Sequence, residues 1–290
     1  MSAPVTELMR DRVCVVTGAT RGLGRATALG LARKGARVVL MVRDVTAGSR
    51  VSREIAHQTG NADIAFIPLD LASFASVRRA AAAMRERFDA VHVLVNNAGV
   101  NRARRAESED GHEMTLAVNH LGPFLLTRLL EPLLRAGAPS RVVTITSGFE
   151  RLGRINFDDL DLRRGYNGLR AYTQSKLANV LFTYALAERL EGSGVTANCI
   201  HPGLVATDLM RDLPRWMRAL YEPFLATPER AAAPIVRLAS APELWVVTGR
   251  YFDRTREALS SRRSYDRDTR ERLWRVSEEL TRQRAPVNPA

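Results

Sequence analysis

Lysine is almost missing from this chain of 290 residues. Of its 43 basic residues only Lys34 and Lys176 are lysines, and the other 41 are arginines. A general preference for arginine of this kind is expected of a GC-rich genome and says little about function. Lys176 departs from that preference four residues after Tyr172. The departure indicates chemistry that arginine, a rigid planar fork, does not perform well.

Long hydrophobic runs are absent and cysteine is scarce. The most apolar stretch, residues 121–134, is interrupted by Arg128 and Glu131, so we expect no transmembrane anchor. The N-terminus contains no apolar signal core. Cys14 and Cys199 lie in separate apolar runs, which predicts two buried thiols and no disulfide or metal pair. These features favour a protein of the reducing cytoplasm.

The formal net charge of +12 raises the question of an anionic partner. Acidic residues are interleaved with the arginines, and no uninterrupted basic block occurs. We therefore expect no nucleic-acid partner, although binding to nucleic acid or to a membrane surface remains an alternative. None of the five histidines lies in a cluster typical of a metal site, so we expect no metal.

Short apolar runs rich in β-branched residues alternate with helical patterns along the chain. This alternation predicts one α/β domain over residues 1–290, a doubly wound (Rossmann) parallel sheet with helices on both faces. About seven strands are expected, at Arg12–Gly18, Ala36–Arg43, Asp63–Asp70, Val91–Gly99, Ser140–Gly148, Gly194–Gly203 and Val246–Asp253. Helices are expected at Gly22–Lys34, Ala47–Gln58, Ser73–Phe88, Ser108–Arg135 and Ala171–Glu191.

The segment 204–243 is less regular than the rest and contains several prolines and aromatic residues, among them Pro214, Pro223, Pro228, Pro234, Trp216, Tyr221 and Phe224. It follows the last long strand, and ligands of open α/β sheets bind at the carboxyl ends of the strands. We therefore expect this segment to cap a substrate pocket.

A glycine-rich loop joins the first strand to the first helix. In "TGATRGLGRA", Gly18 would allow a tight turn, Gly22 would let the backbone approach a pyrophosphate, and Gly24 would let helix and strand pack closely. The N-terminus of the following helix offers free N–H groups to an anion. The loop therefore predicts a dinucleotide cofactor.

The end of the second strand indicates which dinucleotide is bound. An NAD site usually places an acid there for the ribose 2′-hydroxyl, but this chain has Val42 followed by Arg43, with Arg21 in the glycine-rich loop. Two cations beside a neutral residue suit a 2′-phosphate. Asp44 argues the other way, although it lies beyond the predicted strand. We expect NADP(H).

Together these motifs resemble the short-chain dehydrogenase/reductase family from about Arg12 to Asp208. The stretches "VNHLGPFLLT", "SKLANVLF" and "GSGVTANCIHPG", and the spacing of 25 positions from Ser147 to Tyr172, resemble the retinol dehydrogenase-like and protochlorophyllide reductase-like branch. The resemblance implies the catalytic residues Asn119, Ser147, Tyr172 and Lys176. It also implies that the cofactor is bound by Thr17, Gly18, Thr20, Arg21, Gly22, Leu23, Gly24, Arg43, Asp70, Leu71, Asn97, Ala98, Gly99, Tyr172, Lys176, Pro202, Gly203, Val205 and Thr207.

The chemistry of Tyr172 and Lys176 supports this assignment independently. Residues i and i+4 share one face of a helix. A free phenol has a pKa of about 10, and a nearby ammonium is expected to lower the pKa of Tyr172 toward the range useful for acid–base catalysis. Ser147 can bond a substrate oxygen as charge develops on it. By resemblance, Asn119 would position a water that links Lys176 to solvent.

The sequence thus predicts an NADP(H)-dependent oxidoreductase that transfers hydride to or from a carbonyl or alcohol carbon of an apolar small molecule. Reduction of a C=C bond by the same residues, or a cofactor-binding regulator without catalysis, remain alternatives. A homodimer or homotetramer is left open, since relatives often pair through the helices that hold Asn119 and Tyr172.

Overall fold

The computed structural model describes residues 7–203 and 226–282, which form a sheet of eight strands covered by helices on both faces. The strand order is β3-β2-β1-β4-β5-β6-β7-β8, and all neighbours are parallel except β7 and β8. The strands are β1 (Val13–Thr17), β2 (Arg37–Val42), β3 (Ile64–Pro68), β4 (Val93–Asn96), β5 (Ser140–Ile145), β6 (Val195–His201), β7 (Tyr251–Asp253) and β8 (Arg256–Ala258). The predicted doubly wound fold is confirmed.

The helices follow the strands in the expected alternation. They are α1 (Gly22–Ala32), α2 (Val45–Thr59), α3 (Phe74–Arg87), α4 (Met114–Leu116), α5 (Gly122–Ala136), α6 (Gly168–Arg189), α7 (Pro228–Ser240) and α8 (Arg267–Arg282). A π-helical turn, Ala117–Leu121, joins α4 to α5. Short 3₁₀ helices lie at Glu7–Met9, Gly148–Leu152, Pro242–Leu244 and Arg262–Tyr265.

Both faces of the sheet are buried, which explains why its strands are nearly continuous apolar runs. In β1, Val13 and Val15 pack in a core with residues of α3, α5 and α6. Cys14 and Val16 pack on the other face with residues of α1, α2 and α7. As predicted, Cys14 and Cys199 are free and buried.

Two predicted elements have different bounds in the structure. Only Tyr251–Asp253 of the predicted strand Val246–Asp253 pairs with β6, because the chain still turns at Gly249, which has a φ of 67°. The helix predicted from Ser108 begins at Met114, where the carboxylate of the preceding residue caps it. Strand β8 has no apolar alternation, since it consists of Arg, Glu and Ala, and the sequence did not predict it.

The predicted capping segment 204–243 is described only from Ala226 onward, so its role stays a prediction. Val205 and Thr207 also lie outside the described residues. The described part forms α7, whose Val236 packs so closely on α1 that a Cβ on Gly30 would lie 2.6 Å from it. Among the described residues, no helix is both long and apolar enough to cross a membrane.

Candidate active site

The candidate residues lie beyond the carboxyl ends of the central strands. Strand β1 lies between β2 and β4, so the loops after β1 and β4 diverge from the point where the strand order reverses, the usual ligand site of such sheets. Thr17 joins these loops, because its hydroxyl accepts the backbone N–H groups of Asn97 and Ala98, each at 3.0 Å. Thr17 is fully buried, so it holds the loops in place and presents no surface to a ligand.

The three glycines of the first loop differ in their surroundings. A Cβ on Gly18 would lie 3.0 Å from Ala98, and a Cβ on Gly24 would lie 2.4 Å from the Gly18 carbonyl oxygen. Gly22 has a φ of 52° and no atom within 4 Å of the place of its missing Cβ. Gly18 and Gly24 are therefore required by packing, whereas Gly22 leaves backbone open to a ligand.

The N-terminus of α1 differs from the N-termini of the neighbouring helices. Side chains cap α2, α3 and α6 through Asp44, Ser73 and Asn167. Arg21, at the N-cap of α1, makes no side-chain capping bond, and the first turn of α1 contains no acid. The open end suits an external anion such as a pyrophosphate. Thr20 and Leu23 flank this end of the helix.

At the end of β2, Val42 is buried and Arg43 is exposed. The carboxylate of Asp44, which argued against NADP(H), accepts the N–H of Ala47 at 2.9 Å. Asp44 thus has a structural role as the cap of α2. Arg43 is consequently the charged side chain that directly follows the strand.

Asp70 and Leu71 lie beyond the end of β3. The Asp70 carboxylate accepts the N–H of Ala72 at 2.9 Å. The backbone N–H of Asp70 donates to Ser76 Oγ at 2.9 Å. Leu71 is buried and packs against Gly122, where a Cβ would lie 2.6 Å from the Leu71 oxygen. This tight packing joins the end of β3 to the start of α5.

Asn119 lies in the π-helical turn, a feature often found at functional sites. Its carboxamide accepts the N–H of Val100 at 2.7 Å and donates to the Val100 oxygen at 2.9 Å and to Ser175 Oγ at 2.9 Å. A Cβ on Gly99 would lie 3.4 Å from the Asn119 oxygen and 3.5 Å from Lys176 Nζ. Asn119 therefore connects the loop after β4 to helix α6 beside Lys176.

Tyr172, Lys176 and Ser147 come together as the sequence predicted. Lys176 is buried, and its ammonium lies 5.6 Å from the centroid of the Tyr172 ring. Nζ donates to the backbone oxygen of Ile145 at 3.2 Å. The Ser147 side chain is hydrogen-bonded to Tyr172. The cluster thus places a phenol, a hydroxyl and an ammonium at the carboxyl end of β5.

The expected effect of Lys176 on Tyr172 is not what the structure shows. Burial raises the pKa of Tyr172, and the hydrogen bond from Ser147 opposes that shift only in part. Burial also lowers the pKa of Lys176 to about 8. The prediction of a lowered pKa for Tyr172 is wrong for this arrangement, because burial disfavours the charged phenolate. Tyr172 is thus a protonated phenol at neutral pH.

The chain after β6 lies beside the same cluster. The ring of His201 packs against Gly148, where a Cβ would lie 3.5 Å from His201 Nε2. Pro202 is buried, and Gly203 has a φ of 93°. This contact brings the predicted Pro-Gly segment next to the loop that begins at Ser147.

Three residues that hold the site together were not singled out in the sequence. They are Val100 and Ser175, which bond the Asn119 carboxamide, and Ile145, which bonds Lys176. Ser175 lies three residues after Tyr172 and so shares its helix face, a pattern that could have revealed it. Val100 and Ile145 act through backbone atoms, which every residue has, so no sequence pattern could have revealed them.

The comparisons with known proteins agree with this geometry. The profile of the short chain dehydrogenase family matches residues 12–218. Retinol dehydrogenase 11 of Homo sapiens is 43% identical over 277 residues, which cover 95% of this chain and 87% of that protein.

Solved structures show the same similarity. A crystal structure of an uncharacterized protein from Mycobacterium paratuberculosis has a TM-score of 0.79 and 35% identity, and the match covers 99% of this chain and all of that one. The NADP active-site complex of RhlG from Pseudomonas aeruginosa has a TM-score of 0.69 and 29% identity, covering 87% of this chain and 97% of that one.

Proposed function

The chain belongs to the short-chain dehydrogenase family, and from this membership we propose that it is an NADP(H)-dependent reductase of apolar carbonyl compounds. The observation that carries the proposal is the cluster of Tyr172, Ser147 and Lys176 beside Asn119, next to a glycine loop and an uncapped helix. The two buried free thiols agree with a cytoplasmic location, which forms part of the proposal.

The residues at the strand ends fit a phosphorylated dinucleotide. Open backbone at Gly22 and the free end of α1 suit the pyrophosphate. Exposed Arg43 suits the 2′-phosphate, and the competing acid Asp44 is engaged as a helix cap. RhlG, a protein of similar structure, has been solved with NADP. When bound, NADPH would supply the hydride for carbonyl reduction.

The protein's own side chains would supply the proton that the forming alcohol requires. Tyr172 is protonated at neutral pH and would donate its proton to the oxygen of the forming alcohol. Ser147 has one hydroxyl hydrogen, which would turn from Tyr172 to the same oxygen and donate to it as negative charge develops. One ammonium hydrogen of Lys176 bonds Ile145, and the remaining hydrogens would hold the cofactor.

The surroundings of Tyr172 favour an apolar substrate. The ring of Phe149 lies 6.3 Å from the Tyr172 ring, and it is 40% exposed. Leu152, in the same 3₁₀ helix, and Leu169, in the first turn of α6, are also exposed. An apolar compound could bury these side chains. Retinol dehydrogenase 11, a relative, is named for an apolar alcohol.

A panel of aldehydes and ketones with NADPH and with NADH tests the proposal. We expect NADPH oxidation with apolar aldehydes, retinaldehyde among them, and much slower turnover with short polar ones. An α,β-unsaturated aldehyde separates the alternatives, because C=O reduction yields an allylic alcohol and C=C reduction yields a saturated aldehyde. NADPH binding without turnover of any compound would indicate a regulator, and a preference for NADH would contradict the cofactor assignment.

A further inference from the structure

His120 follows Asn119 in the π-helical turn and is almost completely buried, with 1% of its surface exposed. Its Nε2 lies 2.9 Å from Ser277 Oγ, on helix α8 and 157 residues further along the chain. Its ring contacts those of Phe124 and Phe182. A buried polar ring among aromatic residues requires its hydrogen bond, and that bond comes from the C-terminal helix.

Helix α8 is firmly attached at this point. Trp274, one turn before Ser277, stacks on Phe182 with the rings 6.0 Å apart, and the Arg189 guanidinium lies 4.1 Å above its ring. Ser277 itself is fully buried. The hydroxyl that bonds His120 is therefore presented from a rigid support.

The π-helical turn is thereby docked on the catalytic face of α6 at two positions. Asn119 bonds Ser175, which directly precedes Lys176. His120 lies beside Asn179, one helical turn later, and the Asn179 side chain favours a proton on the ring. Ser175 and Asn179 are i and i+4, so they share a face of the helix. The two contacts flank Lys176.

Asn179 is connected directly to the catalytic ammonium. Its Nδ2 donates at 3.4 Å to the Ile145 oxygen, the same oxygen that accepts the bond from Lys176 Nζ at 3.2 Å. With Nδ2 engaged there, the carboxamide oxygen of Asn179 is left to accept a proton. Burial lowers the pKa of His120 to about 4, so the ring is neutral and carries one proton.

We propose that His120 is a positioning residue for Lys176. Ser277 holds the ring from the C-terminal helix, and this bond fixes the π-helical turn in which Asn119 bonds Ser175 beside Lys176. His120 Nδ1 has no hydrogen-bond partner among the described residues, so the bond to Ser277 is the one that holds the ring. The proposal rests on the catalytic role of Lys176 in the proposed function.

Ser277→Ala tests the proposal with the smallest change. A displacement of about 1 Å at a reacting group can lower a rate roughly 100-fold. We expect kcat for the best carbonyl substrate to fall about 10- to 100-fold, with its KM nearly unchanged. Tyr184→Phe is the matched control, because it removes the buried bond between Tyr184 and Ser260 at 2.7 Å. That bond also joins α6 to the C-terminal segment but lies away from His120, so kcat should stay at the wild-type value.

A double variant separates positioning from stability. Replacing both partners of a buried hydrogen bond by apolar groups can leave stability almost unchanged, so His120→Leu with Ser277→Ala should melt closer to wild type than either single variant. Its kcat should nevertheless stay low. Recovery of both the melting temperature and kcat in the double variant would show that the pair serves stability alone.

The scarcity of lysine offers a readout that does not depend on turnover. With only Lys34 and Lys176 in the chain, ¹³Cε-lysine labelling yields two side-chain NMR signals, and Lys176→Arg assigns them. The Lys176 midpoint should lie near 8 in the wild type and shift in Ser277→Ala, because displacement of Asn119 from Ser175 changes the surroundings of the ammonium. An unchanged midpoint with unchanged kcat would overturn the proposal. A wild type without turnover would contradict the proposed function, while the NMR signal would still test His120.

Discussion

The ammonium of Lys176 lies over the ring of Tyr172, 5.6 Å from its centroid, and donates a hydrogen bond to the carbonyl of Ile145. The two side chains are one helical turn apart on α6. Lys176 is buried and pairs with no carboxylate in the described part of the chain. A buried, almost unpaired cation destabilises a fold, so its presence is most simply explained by function.

Tyr172→Phe should remove the proton donor and leave the fold and the cofactor site nearly intact. General acid–base catalysis contributes roughly 10²–10⁴-fold, so we expect a loss of kcat of that order. NADPH affinity, measured by titration of protein fluorescence, should be near normal. Tyr184→Phe is the matched control, since it also removes one buried phenolic hydroxyl. Wild-type turnover of Tyr172→Phe would exclude Tyr172 as the donor.

Lys176→Arg keeps the positive charge and changes the shape of the group that carries it. The larger planar group cannot occupy the site of Nζ, which lies 3.2 Å from the Ile145 oxygen and next to Gly99. We expect a folded protein with a loss of kcat of at least about 100-fold. Lys34→Arg, the same change at the other lysine, should be silent. An active Lys176→Arg enzyme would show that a cation of any shape suffices.

Lys176→Met should give a more stable but inactive protein. The pKa of Lys176 is lowered from 10.5 to about 8, so below pH 8 the folded state holds a proton that burial disfavours. The variant should therefore be more stable than wild type at pH 7, by about 3 kcal/mol.

The pH dependence of the stability difference between Lys176→Met and wild type tests whether the buried charge causes that difference. Between pH 8 and 10.5 the unfolded wild type binds more protons at Lys176 than the folded state does. The stability of the wild type therefore rises relative to the variant in this window, and the difference narrows. Urea denaturation of both proteins at several pH values measures it. A difference that is constant from pH 7 to about 10.5 would mean that charge burial is not its origin.

Arg43→Ala should weaken NADPH far more than NADH, because only NADPH carries a 2′-phosphate. A hydrogen bond to a charged group contributes about 1.5–3 kcal/mol, so we expect a loss of NADPH affinity on the order of 10- to 100-fold. Arg53→Ala, at an exposed arginine on α2, is the control and should change neither affinity. Equal losses for the two cofactors would show that Arg43 does not bind the phosphate.

The sequence by itself determined the strand–helix alternation and therefore the doubly wound sheet, because runs buried on both faces must be continuously apolar. It also placed Tyr172 and Lys176 together, since i and i+4 are neighbours on any helix. The glycine loop could also be predicted, because glycines at positions 18, 22 and 24 between a strand and a helix are typical of a nucleotide-binding turn. All of these features are marked by patterns that are local in the chain.

The tertiary structure determined the pKa values and the hydrogen-bond partners of the candidate catalytic groups. The pKa of Tyr172 is raised and not lowered, because the burial that disfavours its phenolate depends on the whole fold. The Ile145 carbonyl that binds Lys176 is a backbone group, which every residue carries and no sequence pattern marks. The bond between His120 and Ser277 spans 157 residues. It exists only because α8 packs back onto α5 and α6, a contact that no local spacing predicts.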